Sequence, residues 1–132
     1  MSTRSYVGII EKDGKVKFGY HHSDSHLESL GIDLFRSVKN ENDVEKITTI
    51  NSKRMKRKEY FDITNNAIFI EFCYAFDMND NEWYVSSWHF IDGKEHRLKD
   101  IVKDDVQMKC YADMYHEECQ ERIIAMIREN IQ

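Results

Sequence analysis

The sequence of 132 residues contains no proline, only three cysteines and no apolar run long enough to cross a membrane. The absence of proline excludes a flexible proline-rich linker. The cysteines are too few, and odd in number, for a disulfide framework, so we expect a reducing compartment. A transmembrane helix requires about 20 successive apolar residues. Because the opening segment has only a short apolar stretch, we also expect no signal peptide.

The motifs of common enzyme classes are missing as well. The sequence has no glycine-rich phosphate loop, no G-x-S-x-G nucleophile turn and no H-E-x-x-H zinc motif. A nucleophilic pair of Cys73 or Cys119 with a histidine has little weight, because any chain with three cysteines and six histidines permits one on paper. We therefore expect a protein that binds a partner and is not an enzyme.

Composition and charge indicate one domain with a basic partner. The net charge is −5 at pH 7, which argues against a general nucleic-acid coat protein. It favours a partner with a basic surface, because complementary fields accelerate encounter. Since 41% of the residues are hydrophobic and 33% are charged, the chain can form both a core and a well-solvated surface. We predict a single α+β domain over residues 1–132.

Alternating apolar residues predict an antiparallel sheet of about five strands, built from hairpins. Asp13-Gly14 tolerates the positive φ of a tight turn and predicts a hairpin between the first two strands. Asp92-Gly93 repeats this signal later in the chain. The predicted strands are residues 4–11, 16–21, 67–76, 83–91 and 94–102.

Apolar residues at helical spacing predict helices over residues 25–39, 42–47 and 104–130. Ser25 and Glu28 have the spacing of a capping box, in which each side chain bonds to the backbone amide of the other residue. The long C-terminal helix carries one apolar stripe, which we expect to pack on the sheet.

A histidine-rich turn after the first hairpin offers candidate metal ligands. His22, Asp24 and His26 are two residues apart, so in an extended chain their side chains would project to one side. Imidazole and carboxylate groups are ordinary zinc ligands. The alternative is a polar loop without metal, because this spacing is far less specific than paired C-x-x-C units.

His116 and Cys119 form a second candidate half-site. Residues three apart share one face of a helix, so both side chains could bind one ion. The alternative for Cys119 is a small core residue within the apolar stripe. A zinc ion that bridges this half-site and the histidine-rich turn would tie the two ends of the chain together and add to folding stability.

A basic run over residues 52–58 could contact phosphate. A solvated loop or strand edge is the favoured alternative, because the chain is acidic and few aromatic residues are interspersed. We expect Trp83, Tyr84 and Trp88 in the core or on the sheet, whereas one of them exposed would be an interface anchor.

The N-terminal third resembles a group of small phage and prophage proteins. Those proteins open with M-[SA]-T-R-S, continue into a short hairpin and carry a Y-x-H-x-D-G-x-P-E-x-x-G segment. Ser25 stands where glycine is usual and Leu27 where proline is usual. The resemblance covers about residues 1–38 and implies a phage or mobile-element origin, without an established activity. The matching residues are Met1, Ser2, Thr3, Arg4, Ser5, Tyr20, His22, Asp24, Glu28 and Gly31.

This origin favours inhibition of host defence. Small acidic phage proteins without catalytic motifs are often such inhibitors, anti-CRISPR proteins among them. Our leading hypothesis is a phage-encoded, non-enzymatic inhibitor that acts in the host cytoplasm. It would bind a basic surface of a defence effector, such as a Cas nuclease, without contacting nucleic acid or membrane. Carboxylates on the C-terminal helix would suit that surface: Asp113, Glu117, Glu118 and Glu121.

Two alternatives belong to other functional classes. One is a binding protein that sequesters nucleotide second messengers, with Arg54, Arg57 and aromatic residues holding phosphate and base. The other is a small metal-dependent hydrolase that uses His22, Asp24 and His26. Neither class has a diagnostic motif in the chain.

Overall fold

Six strands form one mixed sheet in residues 3–47 and 53–132, which are the residues that the computed structural model describes. The strands are β1 (Arg4–Ile10), β2 (Lys15–His22), β3 (Arg54–Lys56), β4 (Phe72–Asp77), β5 (Glu82–Ser87) and β6 (His96–Arg97). Their order across the sheet is β3-β2-β1-β4-β5-β6. Helices complete the fold, and the predicted α+β class is confirmed.

The first hairpin joins β1 to β2 through a tight turn, as the sequence predicts. Gly14 adopts a φ of 87°, a conformation that glycine reaches without the steric cost of a Cβ atom. Ile10 pairs with Val16 and Arg4 pairs with His22, so the register extends along both strands. The residues that follow β2 therefore lie at the same end of the sheet as the start of β1.

β1 and β4 pair in parallel, which corrects the prediction of an all-antiparallel sheet of about five strands. Ser5 is aligned with Phe72, and Ile10 with Asp77. A parallel neighbour requires a crossover connection instead of a hairpin, and the segment between β2 and β4 supplies it. The remaining pairs, β1–β2, β2–β3, β4–β5 and β5–β6, are antiparallel.

The helical segments are mostly short. A π-helical turn (Leu27–Gly31) leads into α1 (Ile32–Ser37) where we predict one helix over residues 25–39, and a 3₁₀ turn (Glu41–Lys46) replaces the predicted helix over 42–47. Among the described residues, every helix is too short or too polar to cross a bilayer. The other helices are α2 (Arg57–Phe61), α3 (Ile63–Asn66), α4 (Leu98–Ile101), α5 (Asp105–Ala112) and α6 (Glu117–Asn130).

The prediction of one continuous C-terminal helix over residues 104–130 is wrong, because the chain breaks it between α5 and α6. A straight helix of this length would extend about 40 Å. The seven residues of β1 span only about 23 Å, so part of a straight helix would pack on nothing. The break lets both pieces reach the core, and Met108 on α5 and Ile127 on α6 are fully buried.

Three predicted strands are wrong in extent. The strand predicted over residues 67–76 begins only at Phe72, and the one predicted over 83–91 ends at Ser87. The strand predicted over 94–102 is the two-residue β6 followed by α4. Short apolar runs do not distinguish a strand from a turn or helix, which explains these errors.

Both faces of the sheet carry a core. Phe72 and Tyr74 of β4 point into the core beneath α5 and α6, whereas Cys73 and Ala75 point into the opposite core. Tyr60 of α2 belongs to this second core and is fully buried. Because β4 is buried on both faces, it fixes the position of the residues at its two ends.

Candidate functional site

Two neighbouring turns meet at one end of the sheet, before β4 and after β5. The Ile70 amide donates to the Ala67 carbonyl at 3.2 Å in the first turn, and the Phe90 amide donates to the Ser87 carbonyl at 3.2 Å in the second. The indole Nε1 of Trp88 donates to the Ile70 carbonyl at 3.0 Å. This bond between the turns holds them at a fixed spacing.

Three of the four central residues of these turns are apolar and exposed. Ile68 is 81% exposed, Phe69 is 66% exposed and Trp88 is 49% exposed. Turn centres more often hold Gly, Pro, Asn, Asp or Ser, each of which favours the turn for its own physical reason. We call Ile68, Phe69 and Trp88 the apolar rim. Because Trp88 is exposed at this rim, it fits the role of an interface anchor.

Beside the apolar rim, His26, Glu71 and His89 form a group whose donor atoms all lie within 4.8 Å of one another. His26 follows β2, Glu71 precedes β4 and His89 follows β5, so three separate connections supply the group. His89 Nε2 lies 3.1 Å from Glu71 Oε1. All three side chains are half-buried, which limits their freedom to move apart.

Buried hydrogen bonds fix the segment that carries His26. The Ser25 hydroxyl lies 2.8 Å from the Ser5 hydroxyl and donates to the Thr3 carbonyl at 3.0 Å. The Tyr74 hydroxyl donates to the Ser25 carbonyl at 2.7 Å. The Thr3 hydroxyl also lies 3.3 Å from His26 Nδ1. The backbone before His26 is thereby bound to both central strands.

Tyr111 on α5 fixes the same segment from the other side. Its hydroxyl accepts from the Leu27 amide at 2.9 Å and donates to the Glu28 carboxylate. Burial, reinforced by the negative charge of Glu28, raises the pKa of Tyr111 well above its usual value, so the hydroxyl keeps its proton. The predicted capping box of Ser25 and Glu28 does not form, because both side chains are used in these contacts.

His89 couples the His26–Glu71–His89 group to the apolar rim. The His89 ring stacks on Trp88, with centroids 5.3 Å apart and planes 12° apart. On another side it meets Phe72, whose centroid is 5.6 Å away. The His89 imidazole is therefore in direct contact with the exposed indole.

A pocket of about 330 Å³, which we call the sheet-end pocket, opens between the apolar rim and this group. Arg4, the first residue of β1, lines it, with its guanidinium carbon 5.8 Å from the centroid of the Phe69 ring. The pocket thus combines apolar walls, a cation and two of the three donor residues. Its lining residues are Thr3, Arg4, His26, Ile68, Phe69, Glu71 and Trp88.

The donor set of His26, Glu71 and His89 could hold a metal ion. Imidazole nitrogen and carboxylate oxygen bind zinc, and bonds of about 2.0–2.2 Å put the donors of a tetrahedral site about 3.4 Å apart. Because the three donor atoms already lie within 4.8 Å of one another, small side-chain rotations would bring them to this geometry. Among the described residues, no other group of three His, Cys, Asp or Glu side chains comes as close.

Of the ligands predicted in the histidine-rich turn, only His26 belongs to this group. Ser23 and Asp24 adopt φ values of 72° and 50°, so the segment is not extended and the expected alignment of its side chains is lost. His22 is exposed, with its Nδ1 2.9 Å from the Tyr20 hydroxyl. Asp24 is also exposed, and among the described residues neither His22 nor Asp24 belongs to a group of three potential ligands.

The second predicted half-site is not part of the group either. His116 precedes α6 instead of lying within a helix, and its Nδ1 is 3.3 Å from Glu118. Cys119 is half-buried in α6, with its sulfur 3.4 Å from a guanidinium nitrogen of Arg122. The predicted bridge between the turn and this helix is therefore absent from the described residues, where the His26 ring instead meets Tyr115 at 6.1 Å.

Carboxylates engage the arginines of the basic run, whose first residue, Ser52, lies outside the described residues. Arg54 Nε donates to Glu11 at 2.8 Å. Arg57 lies 2.8 Å from Asp77 and 2.9 Å from Glu95. This pairing disfavours the use of either arginine to hold nucleotide phosphate, because a ligand would have to displace a carboxylate.

Glu71 and His89 were not predicted from the sequence, because neither belongs to a spaced motif. The hairpin of β4 and β5 could have indicated that these two residues approach each other. Phe72 is aligned with Ser87, so the residues just beyond each strand meet at one end of the sheet. The approach of His26 depends on the parallel pairing of β1 with β4, for which the sequence has no local signal.

The chain matches no protein-family model, no curated protein and no solved structure. Its function must therefore be inferred from the chemistry of the residues themselves. The residues at the sheet end offer an exposed apolar rim, a pocket with one cation and a group that could hold a metal ion.

Proposed function

We propose that the chain is a phage-encoded, non-enzymatic protein that inhibits a bacterial defence effector, such as a Cas nuclease, in the host cytoplasm. The observation that carries the proposal is the apolar rim, which two turns hold out to solvent. Large apolar side chains in such positions contribute free energy when a partner covers them. The phage origin is supported by the resemblance of the opening residues, of which Met1 and Ser2 lie outside the described residues.

An acidic surface near the start of α6 supports a basic partner. Four carboxylates there are exposed, and the chain as a whole carries a charge of −5. Complementary charge would steer the chain towards a basic, nucleic-acid-binding surface of the effector and speed their encounter. The carboxylates are those of Asp113, Glu117, Glu118 and Glu121.

Zinc held by His26, Glu71 and His89 would stabilise the binding surface. The ion would join three connections of the sheet, and its binding free energy would add to folding stability. Because His89 stacks on Trp88, fixing the imidazole would also fix the indole of the apolar rim. The metal would have a structural role, whereas the apolar rim and the acidic surface would bind the partner.

The inhibitor proposal is tested by co-purification with Cas effectors and by CRISPR interference assays. We expect complexes that weaken as salt rises, and loss of inhibition in the double variant Ile68→Ser, Phe69→Ser. Val106→Ser is the matched control, because Val106 is 67% exposed on α5, outside the rim. Absence of any effect on interference across several effector types would contradict the proposal.

The zinc proposal is tested by elemental analysis of protein purified without added metal. We expect nearly one zinc per chain, lost in His26→Gln and in His89→Gln. His22→Gln and His116→Gln are the controls, and both should retain the metal because neither residue belongs to the group. Protein without zinc that also fails to bind added zinc would refute this part of the proposal.

The same donor set favours a second candidate function, a small metal-dependent hydrolase. Two histidines and one glutamate leave a fourth position for water in catalytic zinc sites. Here His26 and Glu71 line the sheet-end pocket, where a substrate would bind. Hydrolysis of bis-p-nitrophenyl phosphate or p-nitrophenyl acetate by the zinc-treated protein, abolished in His89→Gln, would establish it and overturn the non-enzymatic proposal.

A further inference from the structure

Arg4 is a cation without an ionic partner in the sheet-end pocket. Its Nε–H is shielded from solvent and has no hydrogen-bond acceptor in the part of the chain that the structure describes. Among the described residues, the guanidinium contacts the Phe69 ring but pairs with no carboxylate. Arg97 also has an unsatisfied Nε, but its guanidinium lies 3.6 Å from Asp100. A shielded donor without an acceptor lowers stability, which makes the unpaired Arg4 a feature that function would explain.

The walls around Arg4 suit a small ligand that carries one negative charge. A volume of about 330 Å³ lies at the lower end of the range of ligand pockets. The planar guanidinium of arginine matches the two oxygens of a carboxylate. Glu71 also lines the pocket, but its Oε1 is already engaged by His89 Nε2 at 3.1 Å. Among the lining residues, Arg4 is therefore the charged side chain without a polar partner.

We infer that the sheet-end pocket binds a carboxylate attached to an apolar or aromatic body. Arg4 binds the carboxylate, while Phe69, Ile68 and Trp88 cover the apolar body. A free organic acid and the C-terminus of a peptide share this chemistry. The inference depends on the proposed binding function in one respect, because both use the same apolar rim. It does not require zinc, because Arg4 is not one of the three potential metal ligands.

Titration calorimetry with chelator-treated protein tests the inference. The probes are 4-phenylbutyrate and acetyl-Gly-Gly-Phe, each compared with its uncharged amide. We expect both acids to bind, and both amides to bind at least about tenfold more weakly because the charge-assisted bonds to Arg4 are lost. Arg4→Gln and Phe69→Ala should each weaken binding of the acids. Arg122→Gln, which changes an exposed arginine on α6, is the control and should bind normally.

The results distinguish the two possible sources of the carboxylate and separate this inference from the inhibitor proposal. Tighter binding of the peptide supports a chain terminus as the ligand, and tighter binding of the small acid supports a free acid. No saturable binding of either acid at millimolar concentration, or equal binding of acid and amide, overturns the inference. If Arg4→Gln does not fold, Arg4→Lys is tested instead, because lysine keeps the positive charge but lacks the planar guanidinium. Normal binding of the acids by Arg4→Lys would show that Arg4 does not bind both carboxylate oxygens. An inactive chain in interference assays that still binds the acids retires the inhibitor proposal alone.

Discussion

Removing one hydroxyl from the core tests whether Tyr111 holds the segment that carries His26. In Tyr111→Phe the Leu27 amide loses its acceptor at 2.9 Å, and the Glu28 carboxylate loses a donor. Leu27 and Tyr111 are both fully buried, so water cannot replace these bonds without opening the core. An unsatisfied buried group costs about 1–3 kcal/mol, and a bond to a charged group contributes about 1.5–3 kcal/mol. Because the two effects are not additive, we expect a loss of about 2–3 kcal/mol in the free energy of unfolding.

Urea unfolding monitored by far-ultraviolet circular dichroism measures this loss. A change of this size should lower the melting temperature by about 5–12 °C for a domain of this length. Tyr115→Phe is the matched control, because Tyr115 is half-buried nearby and its hydroxyl makes no hydrogen bond among the described residues. If Tyr111→Phe unfolds within about 0.5 kcal/mol of the parent chain, or no more easily than Tyr115→Phe, the Tyr111 hydroxyl does not hold this segment.

Three further predictions concern the sheet and its cores. In Gly8→Ala the new Cβ would lie 2.8 Å from the Lys17 carbonyl oxygen, so we expect the urea midpoint to fall by the equivalent of about 1–3 kcal/mol; an unchanged midpoint would refute this packing. Arg57→Gln leaves the buried Asp77 without its ion pair at 2.8 Å and should cost about 1–3 kcal/mol, with only partial rescue by Arg57→Lys; full rescue would contradict the geometry. Burial raises the pKa of the Cys73 thiol and of three tyrosines in the folded chain. The free energy of unfolding should therefore fall above about pH 9 through the thiol and more steeply above about pH 10 through the tyrosines, by about 1.4 kcal/mol per pH unit for each group. Urea midpoints from pH 8.5 to 11, with tyrosinate absorbance, check this slope, and a flat profile would count against it. The tyrosines are Tyr60, Tyr74 and Tyr111.

Some local signals in the sequence predicted local structure correctly. The first hairpin is confirmed because Asp13-Gly14 specifies its turn within two residues, and Gly14 has the positive φ that the turn requires. The existence of a strand at β4 is confirmed, and its side chains alternate between two opposite cores, because alternation is a local property of a strand. Ile68 and Phe69 were wrongly included in that strand, since exposure at a turn is not visible in an apolar run.

The candidate site could be predicted only in part. His26 was identified because it lies in a histidine-rich turn, whereas Glu71 and His89 are single residues outside any cluster of similar residues. Their approach to His26 is set by the order of strands across the sheet, which no pattern of neighbouring residues encodes. The break before α6 was missed for a similar reason, because the size of the sheet limits how long a packed helix can be.

The parallel pairing of β1 with β4 has a consequence for how the chain acquires its site. Ser5 and Phe72 are neighbours in space but far apart along the chain. Bringing such distant segments together carries a large loop-closure entropy, so this pairing is expected to form late in the folding reaction. His26 joins Glu71 and His89 only once these strands are aligned. Nascent or truncated chains that lack β4 should therefore be unable to form the three-residue group, and its assembly would report completion of the fold.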